Sequence, residues 1–114
     1  MPYIEANLSC KLTDDKINEL KSGFGKVIEC IPGKTENWLM VNIRDDSKIF
    51  FKGNCDDETA FISVEIFGKA SQSAYDNLTS QITALVSKTA SIPEDRIYVN
   101  YREVDTWGWN GNNF

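Results

Sequence analysis

The chain contains no histidine, and that absence removes the commonest metal ligand and the commonest general base together. Cysteine is scarce. Cys10, Cys30 and Cys55 form no CxxC pair, so neither a zinc knuckle nor a dithiol redox centre is readable, and three thiols make no dense disulfide framework. We read all three as reduced. Long apolar runs are missing too: no stretch approaches a membrane span, and the first residues lack the basic-then-apolar order of a signal peptide. The expected place of synthesis is the cytosol. Basic residues are outnumbered, 12 Lys and Arg against 17 Asp and Glu for a net charge of −5. With no run of Lys or Arg, the chain shows no electrostatic footprint for nucleic acid or an anionic membrane.

What remains is an ordinary globular composition: 41% hydrophobic, 25% charged and 11% aromatic over 114 residues. That is one domain, residues 1–114, with a single core that is marginal by surface-to-volume scaling, so association with copies of itself would help.

Hydrophobic periodicity divides the chain in two. From Tyr3 to Leu8 apolar and polar residues alternate, with Ile4, Ala6 and Leu8 on one face, as in a half-buried strand. Thr13-Asp14-Asp15 supplies an N-cap and first-turn carboxylates, and Ile17, Leu20, Phe24, Val27, Ile28 and Ile31 then recur at helical spacing up to Pro32-Gly33. Trp38 to Arg44 alternates again. In the second half Phe61 to Phe67 is a strand, and Tyr75, Leu78, Ile82, Leu85, Val86 and Thr89 each lie 58 positions after their counterparts in the first helix. That helix stops near Ser91-Ile92-Pro93, and Ile97 to Tyr101 closes the pattern. The charged link from Arg44 to Thr59 reads as a loop with a short strand at Ile49 to Phe51.

The expected fold is therefore α+β: duplicated β-α-β units forming a four-stranded mixed sheet, both helices on one face. The other face mixes Glu5, Asn7, Asn42, Ser63, Glu65 and Asn100 with Trp38, Met40, Phe61, Phe67 and Tyr98. That is too aromatic for plain solvent exposure and too polar for a dry core, which suits an interface that retains water or a ligand. At the C-terminus, Asn110-Gly111 is a favoured hairpin dipeptide beside Trp107, Trp109 and Phe114.

Pro2 after the initiator Met, Pro32-Gly33-Lys34 after the first helix, Ile66-Phe67-Gly68-Lys69, Arg96 to Tyr101, and Trp109-Asn110-Gly111 with Phe114 occur in register along nearly the whole chain. In this the sequence resembles the macrophage migration inhibitory factor family of the tautomerase superfamily. The resemblance implies a homotrimer with a site at each subunit boundary and Pro2, freed by loss of Met1, as the catalytic base. It implies a keto–enol tautomerase, an isomerase acting on aryl 2-keto acids such as phenylpyruvate. Lys34 and the Phe67 N–H would then meet the substrate carboxylate, Tyr98 and Asn100 would come from the adjacent subunit, and Trp38, Trp109 and Phe114 would clasp the aryl ring. No metal or organic cofactor is called for.

Chemistry supports the base independently. A free α-amino group titrates at about 7.7–8.0, and a water-poor pocket with a nearby cation lowers it further, because both disfavour the protonated form. Lys34 would supply the cation. Tyr98 and Asn100, two apart on a strand, point to the same face, as a shared site requires. Glu65 shares a face with Phe67 and would repel an anionic substrate.

Blander readings stand beside these. Pro2 alone is a small penultimate residue at a strand start, where proline is tolerated. Lys34 alone is a helix C-terminal charge, Tyr98 and Asn100 read as interface contacts, and the Trp107/Trp109 pair reads as packing. The alternative function is a cytokine-like interaction protein, exported without a leader and recognised by a receptor protein, with little physiological catalysis. A ferredoxin-like small-molecule binding module is a weaker third reading.

Overall fold

The computed structural model describes every residue, Met1–Phe114. Strand β1 (Pro2–Leu8) buries alternate residues, with Ile4, Ala6 and Leu8 wholly out of solvent. Helix α1 (Asp14–Val27) starts where the sequence places it, the Thr13 hydroxyl accepting from the Lys16 N–H at 3.3 Å with Asp14 and Asp15 in the first turn. The apolar period runs on to Ile31, but α-helical bonding stops at Val27 and a 3₁₀ turn spans Ile28–Cys30. In a 3₁₀ turn residues three apart eclipse one another, so Ile28 and Ile31 both stay on the core side.

Strand β2 (Met40–Arg44) is shorter than its alternation predicts. Trp38 belongs to a second 3₁₀ turn, Glu36–Trp38, closed by the Leu39 N–H donating to the Glu36 carbonyl at 3.1 Å. The expected strand at Ile49–Phe51 is absent. Phe51 and Asn54 exchange backbone bonds of 2.9 and 3.2 Å across Lys52-Gly53, so the turn closes at Phe51 and leaves no length for a strand. Strand β3 (Ala60–Phe67) alternates as expected. Helix α2 (Gln72–Ala90) is capped by the Ser71 hydroxyl, which accepts from the Ala74 N–H at 3.1 Å. Strand β4 runs Ile97–Val104, past the expected end at Tyr101, because β3 continues to pair with it as far as Phe67 opposite Val104. Strands β5 (Gly108–Trp109) and β6 (Asn112–Asn113) form the terminal hairpin around Asn110 and Gly111, whose φ values of 53° and 81° suit the tight turn.

The sheet order is β2-β1-β3-β4, with β1 parallel to β2, β3 parallel to β4, and β1 antiparallel to β3. The duplication extends to register. Tyr3 faces Met40 in the first unit and Phe61 faces Tyr98 in the second, each residue 58 positions beyond its counterpart. The central pair Glu5 and Ser63 is itself one such pair of equivalents, so an internal two-fold passes between β1 and β3 at that point. Both helices cover one face, where Leu20, Phe24 and Ile28 meet Leu78, Ile82 and Val86 over the buried strand residues. No helix is long and apolar enough to cross a membrane.

The other face carries no helix. Its polar groups partly satisfy one another: Asn42 Nδ2 donates to the Tyr3 hydroxyl at 3.2 Å, Ser63 Oγ donates to Asn100 Oδ1 at 2.7 Å, and Arg44 pairs with Glu5 at 3.5 Å.

Candidate active site at the head of the first strand

Proline at the first position of a strand withholds only an N–H that the ladder need not receive there. Pro2 uses this licence, lying buried opposite Ile66 of β3. The antiparallel pairing extends one step outward, so that the Phe67 N–H donates to the Met1 carbonyl at 3.0 Å. Lys34 arrives from the other side. Gly33, at a φ of 82° that favours glycine, turns the chain after Pro32, and Lys34 Nζ then donates to the Phe67 carbonyl at 2.9 Å. Phe67 is thus held by the N-terminal residue through its N–H and by Lys34 through its C=O.

The consequence for the amine is electrostatic. Burial first, then the charge of Lys34 and a hydrogen bond from it, lower the Met1 amine from 8.0 to about 6. All three causes act on an amine because of where this strand begins.

Beside the amine lies a cleft of about 490 Å³ whose walls include Pro2, Trp38, Met40, Glu65, Trp107 and Trp109. Trp38 meets Trp109 edge-on with centroids 5.2 Å apart, Trp109 stacks on Phe114 at 6.5 Å, and Phe114 leans on Phe67 at 5.8 Å. The 3₁₀ turn that removes Trp38 from β2 is what places its ring against the terminal hairpin.

Of the residues nominated by the sequence, Pro2, Lys34, Trp38, Phe67, Trp109 and Phe114 converge at this end of the sheet. Pro2, Trp38 and Trp109 line the cleft itself, whereas Lys34, Phe67 and Phe114 adjoin it through the contacts just given. Tyr98 and Asn100 are not brought to it. Tyr98 pairs with Phe61, which faces Asn7 at the opposite end of β1, about 17 Å from Pro2 at strand rise. There Tyr98 packs on Phe51 at 5.1 Å and stays 57% exposed, while Asn100 accepts the Ser63 hydroxyl. Trp107, Tyr3 and Met40 line the cleft without having been nominated. Strand parity offered a signal for two of them, since alternation puts Met40 on the open face with Trp38 and Tyr3 is its parallel neighbour.

A chain-terminal amine here is held at lowered basicity by burial and Lys34, and the Lys34 ammonium and indole walls beside it suit a small aromatic anion. No group of three or more His, Cys, Asp or Glu side chains that could hold a metal ion occurs in the chain.

Comparison with known proteins agrees with this architecture. The family model described as macrophage migration inhibitory factor matches residues 1–114. The macrophage migration inhibitory factor of Mus musculus is 30% identical over 84 residues, 72% of each chain. Among solved structures, Leishmania major MIF2 superposes with a TM-score of 0.92 at 33% identity, covering 100% of this chain and 97% of that one. The homologue from Prochlorococcus marinus gives a TM-score of 0.82 at 26% identity, covering 98% of both chains.

Proposed function

The chain belongs to the macrophage migration inhibitory factor family, and from that premise we propose that it is a keto–enol tautomerase of phenylpyruvate-like aryl 2-keto acids, with Pro2 as its base. The family supports tautomerase or cytokine-like function in general terms. The observation that carries the finer reading is the convergence of Lys34 and Phe67 at the head of β1, where burial and the Lys34 charge lower the Met1 amine and would act in the same direction on a free Pro2 amine one residue on.

Loss of Met1 does two things at once. It turns the Pro2 nitrogen from a tertiary amide into a secondary amine, and it removes the carbonyl that occupies the Phe67 N–H. The freed N–H and the Lys34 ammonium can then receive the substrate carboxylate, a charge-assisted pair aimed by one backbone segment. With the anion held there, the aryl ring lies against the Trp38–Trp109 pair on the cleft side. The neutral Pro2 nitrogen takes the proton from the enol oxygen and returns it to the carbon beside the carbonyl. One proton moves, and no electrons are gained or lost.

Tyr98 and Asn100, remote from Pro2 in their own chain, are supplied by the adjacent copy in a homotrimer. The test is phenylpyruvate tautomerisation, followed by ultraviolet absorbance, on protein with a free Pro2, on Pro2→Ala and on an N-terminally extended form. Equal rates in all three would sink the enzyme reading.

A second reading, the cytokine-like interaction protein, draws on the exposed apolar side chains Met40, Phe50 and Tyr98. It predicts that Pro2→Ala leaves receptor binding unchanged.

A further inference from the structure

The indole-walled cleft carries one acidic side chain, Glu65. It is half-buried, on the same face of β3 as Phe67. Its carboxylate takes no part in the ion pairs of the chain, which are Lys16 with Glu19 and Arg44 with Glu5. Arg102 lies directly across on β4 and Tyr3 directly across on β1. Arg102 does not come within ion-pair distance, and the Tyr3 hydroxyl, which accepts from Asn42, makes no hydrogen bond to the carboxylate. Lys34 is turned to the Phe67 carbonyl. The internal two-fold gives Glu65 no paired equivalent either, since its counterpart is Asn7 and the carboxylate that does find an arginine is Glu5.

A half-buried carboxylate without a partner in its own chain, lining the cleft with Trp38, Trp107 and Trp109, discriminates by charge. It favours a cationic donor, which the indole faces also attract, and it penalises a second anion. Lys34 and the Phe67 N–H adjoin the cleft, whereas Glu65, two residues before Phe67 on the same face of β3, lines it together with the indoles that take the ring, so the substituents of the ring meet its charge.

We propose that Glu65 is the specificity-determining residue of this cleft, selecting aryl 2-keto acids whose ring bears a positively charged donor and rejecting those whose ring bears a second negative charge. The inference rests on the tautomerase reading for its substrate class and reaches beyond it in assigning the ring substituent. Across one charge contact at a partly exposed position, the discrimination is about tenfold in each direction.

The experiment compares phenylpyruvate with its para-aminomethyl and para-carboxy derivatives, in the unaltered protein, Glu65→Gln and Glu65→Leu. Quenching of tryptophan fluorescence by the matching arylpropanoates, which cannot tautomerise, gives binding in parallel. The unaltered protein should rank aminomethyl above unsubstituted above carboxy, in kcat/KM and in binding, with the spread shrinking at high salt. Both substitutions should collapse that order to within about twofold, Leu completely and Gln with a residue of donor preference. The same ranking in all three proteins overturns the proposal. Absent turnover with a Glu65-dependent binding order would sink the tautomerase reading alone. Turnover with ratios indifferent to residue 65 would sink this inference alone, and neither turnover nor binding would end both.

Discussion

Lys34 shows how much rests on single side chains. Its ammonium lowers the Met1 amine, would act in the same direction on a free Pro2 amine at that place, and holds the Phe67 carbonyl at 2.9 Å, so Lys34→Ala removes a cation, a carboxylate partner and a positioning bond together. The expected loss in kcat/KM is about 10²-fold, the size of one charged hydrogen bond. The sign of the pH effect follows from the cause. A cation that disfavours protonation depresses the amine, so without Lys34 the acid limb of kcat/KM moves to higher pH, toward the ordinary range of about 7.7–8.0. A limb that stays in place, measured on protein with a free Pro2, would separate Lys34 from the base. The core offers a contrasting residue. Thr89 is buried with a hydroxyl that finds no partner, at the position where the first unit buries Ile31. Thr89→Val should raise stability by about 1 kcal/mol in urea unfolding, because the desolvated hydroxyl returns nothing for its burial.

Among the elements, the caps were legible and the tight turns were not. Thr13 and Ser71 announce their helices because a short side-chain oxygen three residues before a free N–H has one local use. Trp38 misled because its alternation with Leu39 and Met40 fits a strand, while the Glu36–Trp38 turn is closed by a backbone bond from the Leu39 N–H to the Glu36 carbonyl that periodicity does not register. The end of β4 misled for the opposite reason: Arg102 and Glu103 look like loop, yet β3 offers them a complete ladder. Duplication supplies a prediction here. Gly33 and Ser91 occupy equivalent places after the two helices, and both adopt positive φ, 82° and 57°. A left-handed residue with a Cβ costs about 1–2 kcal/mol, partly offset in glycine by its greater freedom when unfolded. Ser91→Gly should therefore stabilise the fold by about 0.5–1 kcal/mol, read as a shift of the urea midpoint without change in slope.

At the scale of the whole molecule, the two-fold repeat and the convergence around Pro2 were legible in the sequence, and the resemblance assigned Tyr98 and Asn100 to an adjacent copy; how far along the sheet each stands from Pro2 in its own chain, Tyr98 a strand's length and Asn100 level with Glu5 through Ser63, was not legible. That separation is a property of register: pairing through Phe61 puts Tyr98 opposite Asn7 and leaves Pro2 at the far end of β1. The edge strands β2 and β4 both keep a row of unpaired backbone groups, as they must if the internal two-fold relates them, and β4 carries Tyr98 more than half exposed. If an adjacent copy supplies Tyr98 and Asn100, two crippled chains can repair each other. Pro2→Ala protein and a Tyr98→Ala/Asn100→Ala protein, unfolded together and refolded in equal amounts, would place an intact Pro2 beside an intact neighbour at about a quarter of the sites in a cyclic assembly, since each half is right by chance one time in two. Tautomerase activity should then rise toward that fraction of the unaltered rate, well above the mean of the two proteins refolded separately. An activity equal to that mean would show that each cleft works with its own chain's residues alone, and the boundary between copies would lose its place in the mechanism.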